Sequence, residues 1–394
     1  EFVNTELYAY ALSFAFLTVA ITSPLLSSIA DYTGKKRGFM KFFAYLGAMS
    51  CMALFWFDGS NIEFGIIAFV MATIGYSGSI VYYNSFLPEI VPPEDQDKIS
   101  ARGYSYGYAG SLILLCFNLS MIMQPSWYGI TDAQLPAKIS FLTVGIWWIA
   151  FSQITFRALP KNVFNRTGKG NLLIKGYREL GLVIKQVKNY PALKIFLLAF
   201  FVYSAGVGTV IYMATNFGVK ELKLPSGVLI VTILIIQIVG IAGAHLFSYL
   251  SAKKDNINAL AICICIYIAI CAGVYFFVYG QTGFIIVAAC VGLVMGGVQS
   301  LSRSTYSKML PETQDHASYF SLYDVMEKFA IVFGTAGYGY MEALTGSMRN
   351  SIMLLIFFFV LGLILLIRVK SENEGDALEY KDKLNYKLKT HGSS

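Results

Sequence analysis

Charge is what this 394-residue chain has least of: Asp, Glu, Lys and Arg together make up 13% of it, against 56% apolar and 15% aromatic residues. A water-soluble globule of this length needs more polar surface than that, so the composition excludes a cytosolic enzyme-like domain and requires lipid as part of the solvent. Histidine is scarcer still, with only His245, His316 and His391. That excludes a histidine-built metal centre, and no Ser, His and Asp arrangement points to hydrolysis. The six cysteines (Cys51, Cys116, Cys263, Cys265, Cys271 and Cys290) all fall in apolar runs with no paired metal-ligand spacing, and read as small core residues. With no Gly-rich phosphate loop and no nucleotide fold, neither an enzyme nor an ATP-driven pump is expected, and no cofactor or metal.

What the chain has instead is long apolar runs. Eleven reach spanning length, at 7–30, 39–57, 64–87, 100–123, 139–158, 192–217, 227–250, 257–279, 283–306, 317–341 and 350–368, against the ~20 residues a helix needs to cross a bilayer. Unpaired backbone is not tolerated in hydrocarbon, so a polytopic helical protein follows. The opening Glu1-Phe2-Val3-Asn4 carries no charged leader or cleavage site, so the first run reads as a span rather than a signal peptide. Placing the hairpin Asp31 to Arg37 on the inner side puts 26 of the 30 Lys and Arg residues inside, leaving Lys138, Lys220, Lys223 and Arg349 outside. That asymmetry fixes the orientation. The net charge of +7 therefore reports membrane topology and not a nucleic-acid surface.

One internal repeat stands out. Leu87-Pro88-Glu89 followed by Gln96-Asp97-Lys98-Ile99-Ser100 is echoed by Leu310-Pro311-Glu312 followed by Gln314-Asp315-His316-Ala317-Ser318, each copy joining one span to the next on the inner side. Parallel repeats of this kind build a large class of secondary transporters. Three spans precede the repeat-bearing span of the second half and only two that of the first, so the sequence is expected to begin after the first helix of a twelve-helix protein. The implied organisation is an N-terminal bundle over 1–158, an inner linker over 159–191, a C-terminal bundle over 192–370 and a charged tail over 371–394. In the linker, Leu173, Tyr177, Leu180, Ile184 and Val187 recur at three- and four-residue steps, with Lys175, Arg178, Lys185 and Lys188 elsewhere on the wheel. This reads as a basic amphipathic helix on the inner leaflet.

The hairpin resembles the signature loop of the major facilitator superfamily, with Asp31, Gly34, Lys35, Lys36 and Arg37 in the family's pattern; Ser27 stands where that pattern has Gly and Tyr32 where it has a basic residue. Tyr83-Asn84-Ser85-Phe86-Leu87-Pro88-Glu89-Ile90 and Gly296-Gly297-Val298-Gln299-Ser300-Leu301-Ser302-Arg303-Ser304 are similar to a narrower branch, the vacuole-effluxer-like proteins, named for a fungal autophagy-linked exporter of amino acids. The resemblance implies an all-α integral membrane protein of major-facilitator type, with two six-helix bundles, the first helix absent from this sequence and eleven spans seen. It also implies that Asp31 faces the inner end of span 317–341 and latches the halves shut. Gly103, Gly107 and Gly110 occur without the proline typical of drug antiporters, which argues against a multidrug exporter.

Charged residues inside a membrane are costly and mark function. Span 317–341 holds Asp324, Glu327 and Lys328; counted from His316, Lys328 lies about 18 Å along the helix, near the middle of a core ~30 Å thick. Asp324 and Lys328, four apart, suit an intrahelical ion pair. Glu327 would then be left over, a carboxylate suited to reversible protonation. Arg303 is expected either to pair with Asp324 or to snorkel to the headgroups. Polar and aromatic stripes complete the expected substrate path: Tyr76, Tyr83 and Asn84; Tyr104, Tyr108 and Asn118; Tyr203; Gln237; and Gln299. Together they suit a small polar solute such as an amino acid, moved with protons by a monomer in a bacterial inner membrane, with lipid and solute as partners and no nucleic acid. A non-transporting membrane subunit that docks a partner, or a lipid or muropeptide permease with an apolar cleft, are the alternatives. A cavity lined by the polar stripes would discriminate against both.

Overall fold

The computed structural model describes residues 4–132, 134–161 and 172–391, with side chains described for 11–132, 134–161, 174, 177–178 and 180–369. Among these residues there is no strand. Eleven long helices run as α1 (Asn4–Thr33), α2 (Lys36–Ala53), α3 (Ile62–Ser85), α5 (Gln96–Met123), α6 (Leu135–Ala158), α8 (Pro191–Lys220), α9 (Ser226–Lys254), α10 (Asn256–Phe277), α11 (Gln281–Met309), α12 (His316–Thr345) and α13 (Met348–His391), with a short α4 (Leu87–Ile90) and a linker helix α7 (Leu172–Lys188). Ten are long and apolar enough to cross a membrane. The eleventh long helix, α12, carries Asp324, Glu327 and Lys328.

The turns between helices are fixed by local chemistry. Gly34 closes the α1–α2 hairpin at φ 68°, a left-handed conformation that costs glycine nothing, and its N–H donates to Asp31 O at 3.2 Å. At the corresponding α9–α10 hairpin the sequence has no glycine; Asp255 has a positive φ of 71° with ψ 162°, and its Oδ1 accepts from Asn258 N at 2.8 Å, capping α10.

The repeat equates α3 with α11, α5 with α12 and α6 with α13. In the second half α8 packs against α11, α12 and α13, around a core rich in aromatics: Phe196, Phe200, Tyr203, Tyr306, Tyr319, Phe320, Tyr323 and Phe359. Among the described residues, no helix takes the place beside α3, α5 and α6 that α8 takes in the second half. The smaller first-half core of Met40, Phe43, Ala44, Tyr82, Phe86 and Phe156 is joined by Ala317 from the start of α12. Helices α9 and α11 approach closely through glycines: a Cβ on Gly243 would lie 2.0 Å from Leu293 O, and one on Gly296 2.2 Å from Gly240 O. Small residues let backbones meet in this way in membranes, where van der Waals contact drives association.

Candidate functional site

A cavity of about 690 Å³ lies where α3, α5 and α6 of the first half face α8, α9, α11 and α12 of the second. Seven of the nine expected path residues line it: Tyr76, Tyr83, Asn84, Tyr104, Tyr108, Gln237 and Gln299. Two do not. Asn118 is buried and accepts from Thr143 Oγ1 at 2.9 Å, tying α5 to α6. Tyr203 is fully buried and its hydroxyl shares a 2.8 Å hydrogen bond with Ser302 Oγ inside the second-half core. Their helical spacing puts them on polar stripes, but the stripes are wider than the cavity. Ser204, beside Tyr203 on the polar stripe of α8, lines the cavity, as do Trp148, Ser152 and Thr155 of α6, Tyr212 of α8, and Ser302 and Tyr323. Apart from Ser204, their signal in the sequence is weak, because isolated residues in an apolar run do not show which neighbour they meet.

The inner side is closed by bridges between the halves. The Asp31 carboxylate accepts from Ala317 N at 3.2 Å and Ser318 N at 2.7 Å, and from Ser318 Oγ at 2.8 Å. It caps the first turn of α12 from the opposite half, where free N–H groups and the helix dipole favour a negative charge. Ser28 and Ser318 share a further hydrogen bond at 3.1 Å. Behind Asp31, Lys36 bridges it at 3.5 Å and also meets Glu89, which His316 Nδ1 approaches at 3.1 Å. The rest of the hairpin stands aside: Lys35 is exposed, and Arg37 Nη1 donates to Leu159 O at 2.9 Å. On the other side of the junction Asp97 accepts from Ser251 Oγ (2.9 Å), Asn256 Nδ2 (2.7 Å) and Lys308 Nζ (2.8 Å), linking α5 to α9, α10 and α11.

Arg303 departs from both expectations. It neither reaches Asp324 nor runs to the headgroups; at 5% exposed it is buried at the inner end of the cavity. Its Nε donates to Ser100 Oγ at 3.0 Å, Nη2 to Ser100 O at 2.9 Å and Nη1 to Asn84 Oδ1 at 3.1 Å. The guanidinium also lies over the rings of Tyr104 at 4.5 Å and Tyr83 at 5.6 Å. All three nitrogens of the planar guanidinium are engaged. Above it the Tyr108 hydroxyl donates to Gln299 Oε1, joining α5 to α11.

The α12 cluster also corrects the expected arrangement. Lys328 Nζ is 3.3 Å from Asp324 Oδ1 and 3.3 Å from Glu327 Oε2, so Glu327 is not left over. One ammonium serves two carboxylates, and it also lies 5.4 Å from the Phe16 ring centroid of α1. Glu327 and Lys328 face the cavity; Asp324, 2% exposed, lies behind them at ion-pair distance without a well-aligned hydrogen bond on either oxygen. Among the described residues no group of His, Cys, Asp and Glu is arranged to hold a metal ion.

Two repeat-related helical halves, a cavity carrying polar and charged side chains at their junction and a ring of bridges shutting its inner end define a transporter of the major facilitator type. Solved transporters of that class share the fold: the E. coli fucose:proton symporter FucP (TM-score 0.66, 14% identity, 92% of this chain and 96% of that one) and the human organic anion transporter MFSD10 (TM-score 0.69, 11% identity, 90% and 82%). Within that class the chain belongs to the family of vacuole effluxer Atg22-like proteins, which it matches over residues 3–377. It is 29% identical over 383 residues to the uncharacterized MFS-type transporter YxiO of Bacillus subtilis, covering 97% of this chain and 88% of that one. It is 26% identical to autophagy-related protein 22 of Kluyveromyces lactis, covering 92% and 79%. The protein is a multi-pass integral membrane transporter and not an enzyme.

Proposed function

We propose that the protein moves a small polar solute of amino-acid type across a bacterial plasma membrane, by rocking of its two halves about the cavity, with a proton as coupling ion. The observation that carries this reading is the cavity's lining. Tyr, Ser, Asn and Gln side chains share its walls with apolar ones such as Met40, Ile80, Phe200 and Ile331, Arg303 supplies a cation at its inner end, and Glu327 with Lys328 supplies charge of both signs on one wall. Such a surface offers hydrogen bonds and paired charges to a zwitterion. A plugged core would leave no such volume, and a lipid cleft would not place Arg303, Glu327 and Lys328 on its walls.

The coupling site in this reading is the Asp324–Lys328–Glu327 cluster. Two carboxylates on one ammonium carry a net negative charge when both are ionised, and one proton neutralises the set in a place where charge is costly. Asp31 is the latch of the inner gate, and must release α12 for the cavity to open inward. The 29% identical Bacillus subtilis relative, matched over nearly the whole chain, supports a bacterial membrane as the site of action.

Uptake by purified protein in proteoliposomes, against a panel of amino acids, sugars and organic acids with and without a pH gradient, tests the reading. Uptake of one amino-acid class, stimulated by the gradient, is the expected result. Folded protein that moves none of the panel would overturn it.

A further inference from the structure

The linker helix α7 does more than connect the halves. Val183 and Val187 are buried in the second-half core, beside Leu193 and Phe196, while the helix also runs along α1 of the first half and touches α12. Gln186 Oε1 accepts a 2.7 Å hydrogen bond from the Tyr319 hydroxyl, one residue beyond the Ser318 that Asp31 caps. The helix is therefore a strap across the inner ends of α1 and α12, the two helices that the Asp31 latch joins. Moving α1 away from α12 has to disturb α7 as well.

The face turned away from this contact is unusual for a segment outside the apolar spans. Ile174 and Tyr177 are 67% and 63% exposed and Ile184 is 45% exposed; Arg178, Lys185 and Lys188 are exposed beside them. At 3.6 residues per turn these six fall in one sector of about 120°. The sequence pattern over Leu173, Tyr177, Leu180, Ile184 and Val187 suggested one apolar face; in the structure Val187 turns into the core while Tyr177 and Ile184 turn out with the basic residues. Apolar side chains flanked by cations match the boundary between headgroups and acyl chains of an anionic leaflet, and match bulk water poorly.

We propose that α7 binds anionic phospholipid of the inner leaflet through Ile174, Tyr177, Ile184, Arg178, Lys185 and Lys188, and that this anchoring holds the strap on α1 and α12. The occupant is a lipid surface because apolar and basic groups share a single sector, as an interfacial helix requires. An acidic protein partner would need the cations but not the apolar side chains between them.

Hydrogen exchange of the intact protein in lipid nanodiscs tests this, with neutral phosphatidylcholine compared against the same lipid containing three parts in ten phosphatidylglycerol. Backbone amides of 172–188 are expected to exchange roughly tenfold more slowly in the anionic discs, with the inner turn 91–96 as internal reference. The exposed-face variant R178Q/K185Q/K188Q, which leaves Val183, Gln186 and Val187 in place, should lose that difference. Equal exchange in the two lipids, or full protection retained by the variant, overturns the proposal.

Discussion

Ser100 and Ser318 occupy the same place in the two Leu-Pro-Glu repeats, and their hydroxyls meet opposite charges. Ser100 Oγ accepts from Arg303 Nε at 3.0 Å, and Ser318 Oγ donates to Asp31 Oδ2 at 2.8 Å. In each case the charged residue comes from the opposite half. The repeat has kept the position of the serine at the start of α5 and of α12 while the charge it meets changed sign, so the two contacts at the inner gate differ in chemistry.

Asp31→Asn removes the negative charge from a buried acceptor that holds two backbone N–H groups and a hydroxyl of α12. Charge-assisted bonds of this kind contribute about 1.5–3 kcal/mol, so the inner-closed state should lose roughly ten- to a hundredfold in relative population. Reactivity of an engineered thiol at the inner end of the cavity measures this. Size-exclusion behaviour should stay unchanged, and unchanged thiol reactivity counts against the latch.

Arg303→Lys is not a conservative change here. One ammonium cannot reproduce three donors aimed at Ser100 and Asn84 while lying over Tyr104. Breaking a buried, hydrogen-bonded cation site costs about 3 kcal/mol, and thermal melting in detergent should fall for Arg303→Lys nearly as far as for Arg303→Gln. A lysine variant with wild-type melting would show that charge alone suffices.

Lys328→Met leaves Asp324 and Glu327 adjacent in the membrane with no counter-ion, and is expected to destabilise by about 3–5 kcal/mol. The double change K328M/D324N removes one of the stranded charges and should recover a large part of that loss; failure to recover would mean that Lys328 acts by its stem and not its charge. Glu327→Gln keeps the fold, because Asp324 still pairs with Lys328 at 3.3 Å. Its uptake in proteoliposomes should persist but no longer respond to a pH gradient, whereas an undiminished response removes Glu327 from coupling.

Two glycine substitutions separate contact with a backbone from contact with side-chain ends. At Gly243 an added Cβ would lie 2.0 Å from a backbone oxygen of α11, which cannot move without parting the helices, so Gly243→Ala should abolish folded protein in expression trials. At Gly103 the nearest atoms are the Tyr83 hydroxyl at 3.0 Å and Arg303 Nη2 at 3.1 Å, both at the ends of side chains. Gly103→Ala should fold and melt within about 1.5 kcal/mol of wild type. Comparable loss at both sites would contradict this assignment of tight and loose contacts.

Much of this was legible in the residues themselves. Apolar run length gives the eleven long helices, the Lys and Arg asymmetry gives the inner side, and the hairpin pattern anticipates that Asp31 meets the start of α12. Arg303, Glu327, Asn118 and Tyr203 mark where reading the sequence stops. Helical spacing assigns each to a face of its own helix, but the neighbour across that face is set by how the helices pack. Arg303 therefore finds Ser100 and Asn84 in place of Asp324, and Tyr203 finds Ser302 in place of the cavity. Lys328 serves two carboxylates because residues 324, 327 and 328 share one turn, which a pairwise i, i+4 rule does not represent.

A helix whose first turn is capped by a residue of the other half has local order that depends on how the two halves meet. When Asp31 departs, Ala317 N and Ser318 N lose their acceptor together, and Ser318 Oγ must find another. In the proposed cycle, parting of the halves would cost local order as well as broken contacts: the beginning of α12 would fray or be recapped, and its amide protons would report on the state of the latch.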